Sequence, residues 1–452
     1  MKANAREERY QKLTHEPVGK LLFQMSVPTI IVMLVSNIYS MADTFFVSRL
    51  GNDNLTASVG IVFSFMAVVQ AVGFLFGHGS GNYISRCLGR KDYKKAETMA
   101  ATGLILSVFF GVVLMLISLV FLQPLAGLLG AGVSKELMNS SVEYLRIIIY
   151  AVPFMLGSLT LNNQLRLQGS ARDGMIGMAA GMLLNTILDP ILIFNFHLSV
   201  TGAGLATLCG QVISFFLLLF MSFRNGNVAP RIRNFKMNKS YLRQIFGGGM
   251  PNLLRQGIAG VAGILLNWAA GVYTESAIAA FTVTNRICMV GFAIVIGMGQ
   301  GFQPICGYNY GALEYKRVKQ AFYCCLRAMT IFLIIVFIGL QVGAPALMGC
   351  FSKDASVIDI GVRTLRYQCV SIVFLGYYTL VGMLLQNIGR FKQAAMVSAA
   401  RQLLFFVPFI LILPKLFGLT GVMLAQPSAD ICAFCFAIPF GQSCIRKLST
   451  KL

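Results

Sequence analysis

Three carboxylates stand where carboxylates are rare. Asp43, Asp189 and Asp430 each sit deep in an apolar run of this 452-residue chain. An acid at membrane depth costs about 2.5–3.5 kcal/mol, which makes it a functional candidate by default. Ser36, Ser40 and Asp43 follow one another at spacings of four and three, so they share one helical face. Pro28, upstream on the same segment, removes a backbone hydrogen bond and gives the helix a place to bend. Asn185 and Asp189 are four apart and present an amide and a carboxylate to one neighbour; Pro190 follows. Two carboxylates close together in a low dielectric cannot both ionise cheaply, so one holds a proton or both hold a cation. Oxygen donors of this kind suit Na⁺ as well as H⁺. The competing reading makes these acids neutral, hydrogen-bonded packing devices.

Asp430 lies near Gln426 and Ser428. Arg255, with Gln256 beside it, and Arg401 also lie in apolar segments and need partners at depth. Together they form a candidate secondary polar site, for which a structural ion pair and a transport role are equally compatible.

The elements that must position these groups are membrane helices. The chain is 56% hydrophobic and 12% charged. A soluble domain carries roughly twice that charge, so lipid must be the solvent. Twelve apolar runs long enough to span start near Leu21, Leu55, Ala100, Tyr144, Met175, Gly202, Gly247, Ala277, Ala321, Thr364, Ala394 and Leu419. The polar segment from Met1 to Lys20 is no signal peptide, and the first run is too long for one. With alternating loops, one side gathers 26 Lys and Arg and the other 8. The positive-inside rule then puts both termini in the cytoplasm. That distribution also explains the net charge of +21 without nucleic acid, which would need a basic, aromatic-laced soluble face. The 11 cysteines lie mostly in apolar runs, and Cys432 with Cys435 reads as one helical face, not as redox or metal chemistry. No phosphate-binding loop or zinc-protease motif occurs, so the chain reads as a non-enzyme needing no cofactor.

The chain repeats itself. Gly77, Gly79, Gly89, Tyr93 and Lys94 recur as Gly299, Gly301, Gly311, Tyr315 and Lys316 at an offset of 222. Pro28 recurs as Pro251 at 223, and Thr201-Gly202 as Thr420-Gly421 at 219. The fold class expected is all-α: twelve transmembrane helices in two six-helix lobes related by a pseudo-two-fold axis along the membrane normal. Residues 1–20 form a cytoplasmic arm, 21–223 one lobe, 224–246 a basic linker, 247–445 the second lobe and 446–452 a tail. The repeat sets Asp43 opposite Leu266, and Asp189 opposite Val407 or Pro408, so the two lobes differ in chemistry.

Two six-helix halves, Pro28 with Asp43 in the first span, the glycine-rich end of span two running into Cys87-Leu-Gly-Arg-Lys-Asp-Tyr93, and Asn185-Thr-Ile-Leu-Asp189-Pro190 resemble the multidrug and toxic compound extrusion (MATE) family. The resemblance covers the chain after Glu16 and looks closest to the DinF-like and MepA-like bacterial branches. It implies a cation site at Asp43, Asn185, Asp189 and Thr207. It also implies antiport of H⁺ or Na⁺ against amphipathic, often cationic, drugs through alternating access, in a bacterial plasma membrane, by a monomer. The related NorM-type branch adds acids in spans seven and ten; this chain has none inside either, Glu275 lying just past the seventh. Two alternatives stand beside this reading: a flippase for a lipid-linked saccharide, which keeps the architecture and changes the cargo, and a channel, which the two-lobe repeat with asymmetric buried acids suits less well than alternating access. The first needs a cavity rich in basic residues, and deep ones are few.

Overall fold

The protein is described by a computed structural model covering residues 2–224 and 226–450. Met1, Asn225, Lys451 and Leu452, which belong to the expected arm, linker and tail, lie outside the described residues. Fifteen α-helices run in order: α1 Lys2–His15, α2 Val18–Ser48, α3 Asp53–Gly89, α4 Tyr93–Val120, α5 Leu122–Leu128, α6 Lys135–Leu167, α7 Ala171–Pro190, α8 Ser199–Ser222, α9 Lys239–Gly271, α10 Glu275–Gly311, α11 Tyr315–Phe351, α12 Ala355–Asn387, α13 Phe391–Ala399, α14 Val407–Phe417 and α15 Leu419–Ser449. Two π-helical stretches, Ile191–Asn195 and Ala400–Phe406, continue α7 and join α13 to α14. Among the described residues there is no strand, and twelve segments are long and apolar enough to cross a membrane.

Five spans begin where a side chain supplies an acceptor for an amide that has no partner within the helix. Asn52, Asp92, Ser134, Thr274 and Asp354 accept from backbone amides at the starts of α3, α4, α6, α10 and α12. The helices outrun the apolar runs: α6 starts at Lys135, nine residues ahead of the run at Tyr144. Hydropathy marks the stretch that meets lipid, whereas the helix also includes its polar end turns. The glycine clusters do not end α3 or α10, which continue to Gly89 and Gly311.

The chain forms two compact units. One comprises α1 with everything from Ile31 to Gly249, the other Glu16–Ile30 with everything from Met250 onward. The first helix of each repeat is thus divided near its proline, at Pro28 in α2 and Pro251 in α9. In the first unit Gly79 of α3 lies so close to α9 that a Cβ would overlap the Ile245 carbonyl. In the second unit Gly301 of α10 lies equally close to Ser26 of α2. Only a hydrogen in place of a side chain permits backbones to meet this way.

The expected polar arm is a helix lying on the first unit. Arg6 pairs with Glu97 at 2.9 Å, Glu7 with Lys91 at 2.8 Å, and Arg9 donates to Asn227 Oδ1 at 2.7 Å. Asn227 also accepts from Ser170 and donates to Asp173, so the start of the linker region is buried and bonded. Arg166, in the last turn of α6, is buried against Asn163 and His78. The eleven cysteines are all free thiols.

Candidate functional site

Within the first unit, α2, α6, α7 and α8 bring together the residues picked out in the sequence. Asp43, Asn185, Asp189 and Thr207 are all buried. Asn185 Nδ2 donates to Thr207 Oγ1 at 3.1 Å. The Tyr39 hydroxyl, one turn before Asp43 on α2, reaches the same Thr207 oxygen at 3.5 Å. Tyr144 of α6 donates to Asp43 Oδ2 at 3.2 Å. Asp43 is within electrostatic reach of Asp189.

Close packing makes this meeting possible. A Cβ on Gly204 would sit 3.2 Å from the Tyr144 ring, and one on Gly210 3.1 Å from the Asn185 Cβ. These two glycines bracket Thr207, so α8 presses against α6 on one side and α7 on the other. After Asp189, Pro190 cannot donate a backbone hydrogen bond, and the chain widens into the π-helical turn Ile191–Asn195.

Four oxygens here have no hydrogen-bond partner among the described residues: Asp43 Oδ1, Asn185 Oδ1, and both carboxylate oxygens of Asp189. Buried polar atoms are nearly always satisfied, because an orphan forfeits its hydration with nothing in return. Four acceptors and no cationic side chain bonded to them describe a place for a small hard cation or for protons. No group of three or more His, Cys, Asp or Glu that could hold a metal occurs among the described residues.

The second unit arranges its acid differently. Asp430 Oδ1 accepts from Arg401 Nε and from Gln426 Nε2, each at 2.7 Å, and Oδ2 accepts from Ser371 at 3.1 Å. Asp430 lines a cavity of about 260 Å³ together with Asn285, Gln368, Arg401 and Gln402. Leu266, which the repeat sets opposite Asp43, lines it too. Arg255 is not brought to Asp430; it donates to Asn252 at 2.8 Å on its own helix. Gln256 is half-buried and lines no part of that cavity. Pro28 stands inside α2 with the helix unbroken around it.

Sequence reasoning missed Tyr39 and Tyr144. Tyr39 had a signal, since it precedes Asp43 by four on the polar stripe. Tyr144 had none, because its approach to Asp43 depends on Gly204 of a third helix.

The MatE family model matches residues 28–191 and again 251–412, once in each repeat. "Multidrug export protein MepA" of Staphylococcus aureus strain N315 is 30% identical over 431 residues, covering 95% of this chain and 94% of that protein. A solved structure described as the outward-facing conformation of a multidrug resistance MATE family transporter of the MOP superfamily aligns with a TM-score of 0.91 at 26% identity, over 97% of this chain and 98% of the other. Another, described as MATE in the bent conformation, has a TM-score of 0.91 at 26% identity, over 98% of both chains. The protein is therefore a twelve-span membrane transporter, and it belongs to the MATE family of multidrug exporters.

Proposed function

We propose that the chain exports amphipathic small molecules, often cations, by antiport with Na⁺ or H⁺, and that Asp43, Asn185, Asp189 and Thr207 are the coupling site. The observation that carries this reading is the set of four orphaned buried oxygens on Asp43, Asn185 and Asp189. Leaving them bare is costly, and an ion or proton arriving there relieves that cost. The site therefore has two states of different charge. Pro28 lies on the helix that holds Asp43, so a change of charge at the site biases how that helix bends. This is the two-state element that alternating access requires.

The driving force is sufficient. One charge moving down 100 mV supplies about 2.3 kcal/mol, and a tenfold ion gradient adds about 1.4 kcal/mol. Coupled one to one, they sustain a drug gradient of several hundredfold.

The same reading places the protein in a bacterial plasma membrane as a monomer of two lobes, 21–223 and 247–445, with both termini cytoplasmic. Ile232, exposed in the linker, reports this topology. An Ile232→Cys thiol should react with an impermeant maleimide in inverted vesicles and not in intact cells; the reverse result inverts the topology. A saccharide-lipid flippase needs unpaired deep cations, whereas Arg401 is spoken for by Asp430.

The decisive experiment is drug efflux from inverted vesicles with a pH gradient and a Na⁺ gradient imposed separately. Wild type should respond to one of them, and Asp43→Asn or Asp189→Asn to neither. Undiminished gradient-driven efflux in both variants removes the coupling site from these residues.

A further inference from the structure

On the second unit, the start of α11 and the end of α15 lie side by side at one end of the bundle, joined by Lys319 Nζ donating to Ser449 Oγ at 3.2 Å. Two adjoining hollows of about 730 and about 600 Å³ open there and share Lys319 and Tyr323. The first is lined by Lys316, Gln320 and Arg327, the second by Arg446. Among the described residues, four cations line these hollows and no carboxylate side chain does.

Their spacing on α11 is informative. Lys316, Gln320, Tyr323 and Arg327 recur every three or four residues, so they form one stripe. The stripe continues as Ile331, Ile334 and Ile338, all exposed. Arg327 is exposed and makes no hydrogen bond or ion pair among the described residues. It lies twelve residues into α11, about 18 Å along the axis. The helix itself, at 37 residues, is about 55 Å long, against a hydrocarbon core of about 30 Å. A helix that long leaves about 25 Å outside the core, room for the stretch from Lys316 to Arg327 to lie in the headgroup layer with the isoleucines towards acyl chains. An unpaired arginine at the hydrocarbon edge needs an anion at that depth.

We propose that this groove is a binding site for an anionic phospholipid. Lys319, Arg327 and Arg446 hold the phosphate, Tyr323 lies at the glycerol level, and one acyl chain follows Ile331, Ile334 and Ile338. A free phosphate would use the cations and leave the apolar stripe unused. A zwitterionic lipid would use the stripe and bring its own cation against four others.

The test uses the full-length protein in neutral detergent, with lipid retention read by native mass spectrometry. Dioleoylphosphatidylglycerol should bind at least tenfold more tightly than dioleoylphosphatidylcholine, and inorganic phosphate at equal charge should not displace it. Lys319→Gln and Arg327→Gln should each weaken binding about fivefold, and the pair about 25-fold. Lys353→Gln, in the loop after α11 at its other end, should change nothing. Equal binding of the two lipids, displacement by phosphate alone, or full retention by the paired variant overturns the proposal. The comparison of lipids needs only wild type, so it decides the matter even if the paired variant fails to fold.

Discussion

Asp189 and Asp430 are buried acids in two copies of one repeat, and they are handled in opposite ways. Asp430 has every oxygen occupied, by Arg401, Gln426 and Ser371. Asp189 has neither oxygen occupied. The second unit carries its cation permanently, as a guanidinium. Among the described residues the first unit has no basic side chain bonded to its acid, and four oxygens there are unpartnered. Under the proposed coupling, a shared fold supports one locked and one exchangeable charge, and the difference lies in a single basic side chain, Arg401.

The largest expected effect breaks the exchangeable half. Asp189→Asn should lower gradient-driven efflux by at least about 100-fold, while the melting temperature in detergent stays level or rises, because a costly buried acid has been removed. A large loss of stability with efflux retained would mark Asp189 as structural.

Next comes the locked half. Arg401→Gln leaves Asp430 buried without its cation and should destabilise the protein by about 3 kcal/mol. Adding Asp430→Asn should recover most of that, and the ion dependence of efflux should stay as in wild type. An altered ion dependence in the double variant would mean that the second unit also couples.

A finer cut tests how the first site is tuned. Tyr144→Phe removes the one hydrogen bond that Asp43 accepts. A hydrogen bond to a charged group contributes about 1.5–3 kcal/mol in a closed site and less where geometry is long, as at 3.2 Å here. Half-maximal efflux should move to an ion concentration about fivefold lower, because the carboxylate loses its competing donor. No shift would detach Tyr144 from the site.

The smallest effect belongs to the N-terminal helix. Glu7 is held below its ordinary carboxylate range by hydrogen bonds from Lys91 and Gln11. Its contribution is therefore present above the ordinary range and disappears as pH falls through the lowered value. The pair is exposed, so Glu7→Gln should lower the melting temperature barely measurably at neutral pH and not at all in strong acid.

The acids were legible in sequence because a charge in an apolar run has few innocent explanations. Asn185 followed from its spacing to Asp189, and the twelve spans from length. Tyr144 was not legible, since a tyrosine in a membrane helix is commonplace until its neighbours are known. The burial of Arg166 was not legible either, since only Asn163 and His78, brought together by the fold, give its charge partners. The arm read only as polar, because its partners Glu97, Lys91 and Asn227 are what make it a docked helix.

The division of α2 near Pro28 bears on how the chain is made. Glu16–Ile30 is among the first membrane segments to leave the ribosome, yet its packing partners, such as Gly301, are translated some 270 residues later. That segment must wait in lipid until the second unit arrives. The first unit, for its part, is incomplete until Ile245 is made. A gene cut at the basic linker would yield two fragments, each lacking the helix segment that the other encodes. Neither half is therefore an independent folding unit, and the two must be born on one chain or meet as a pair.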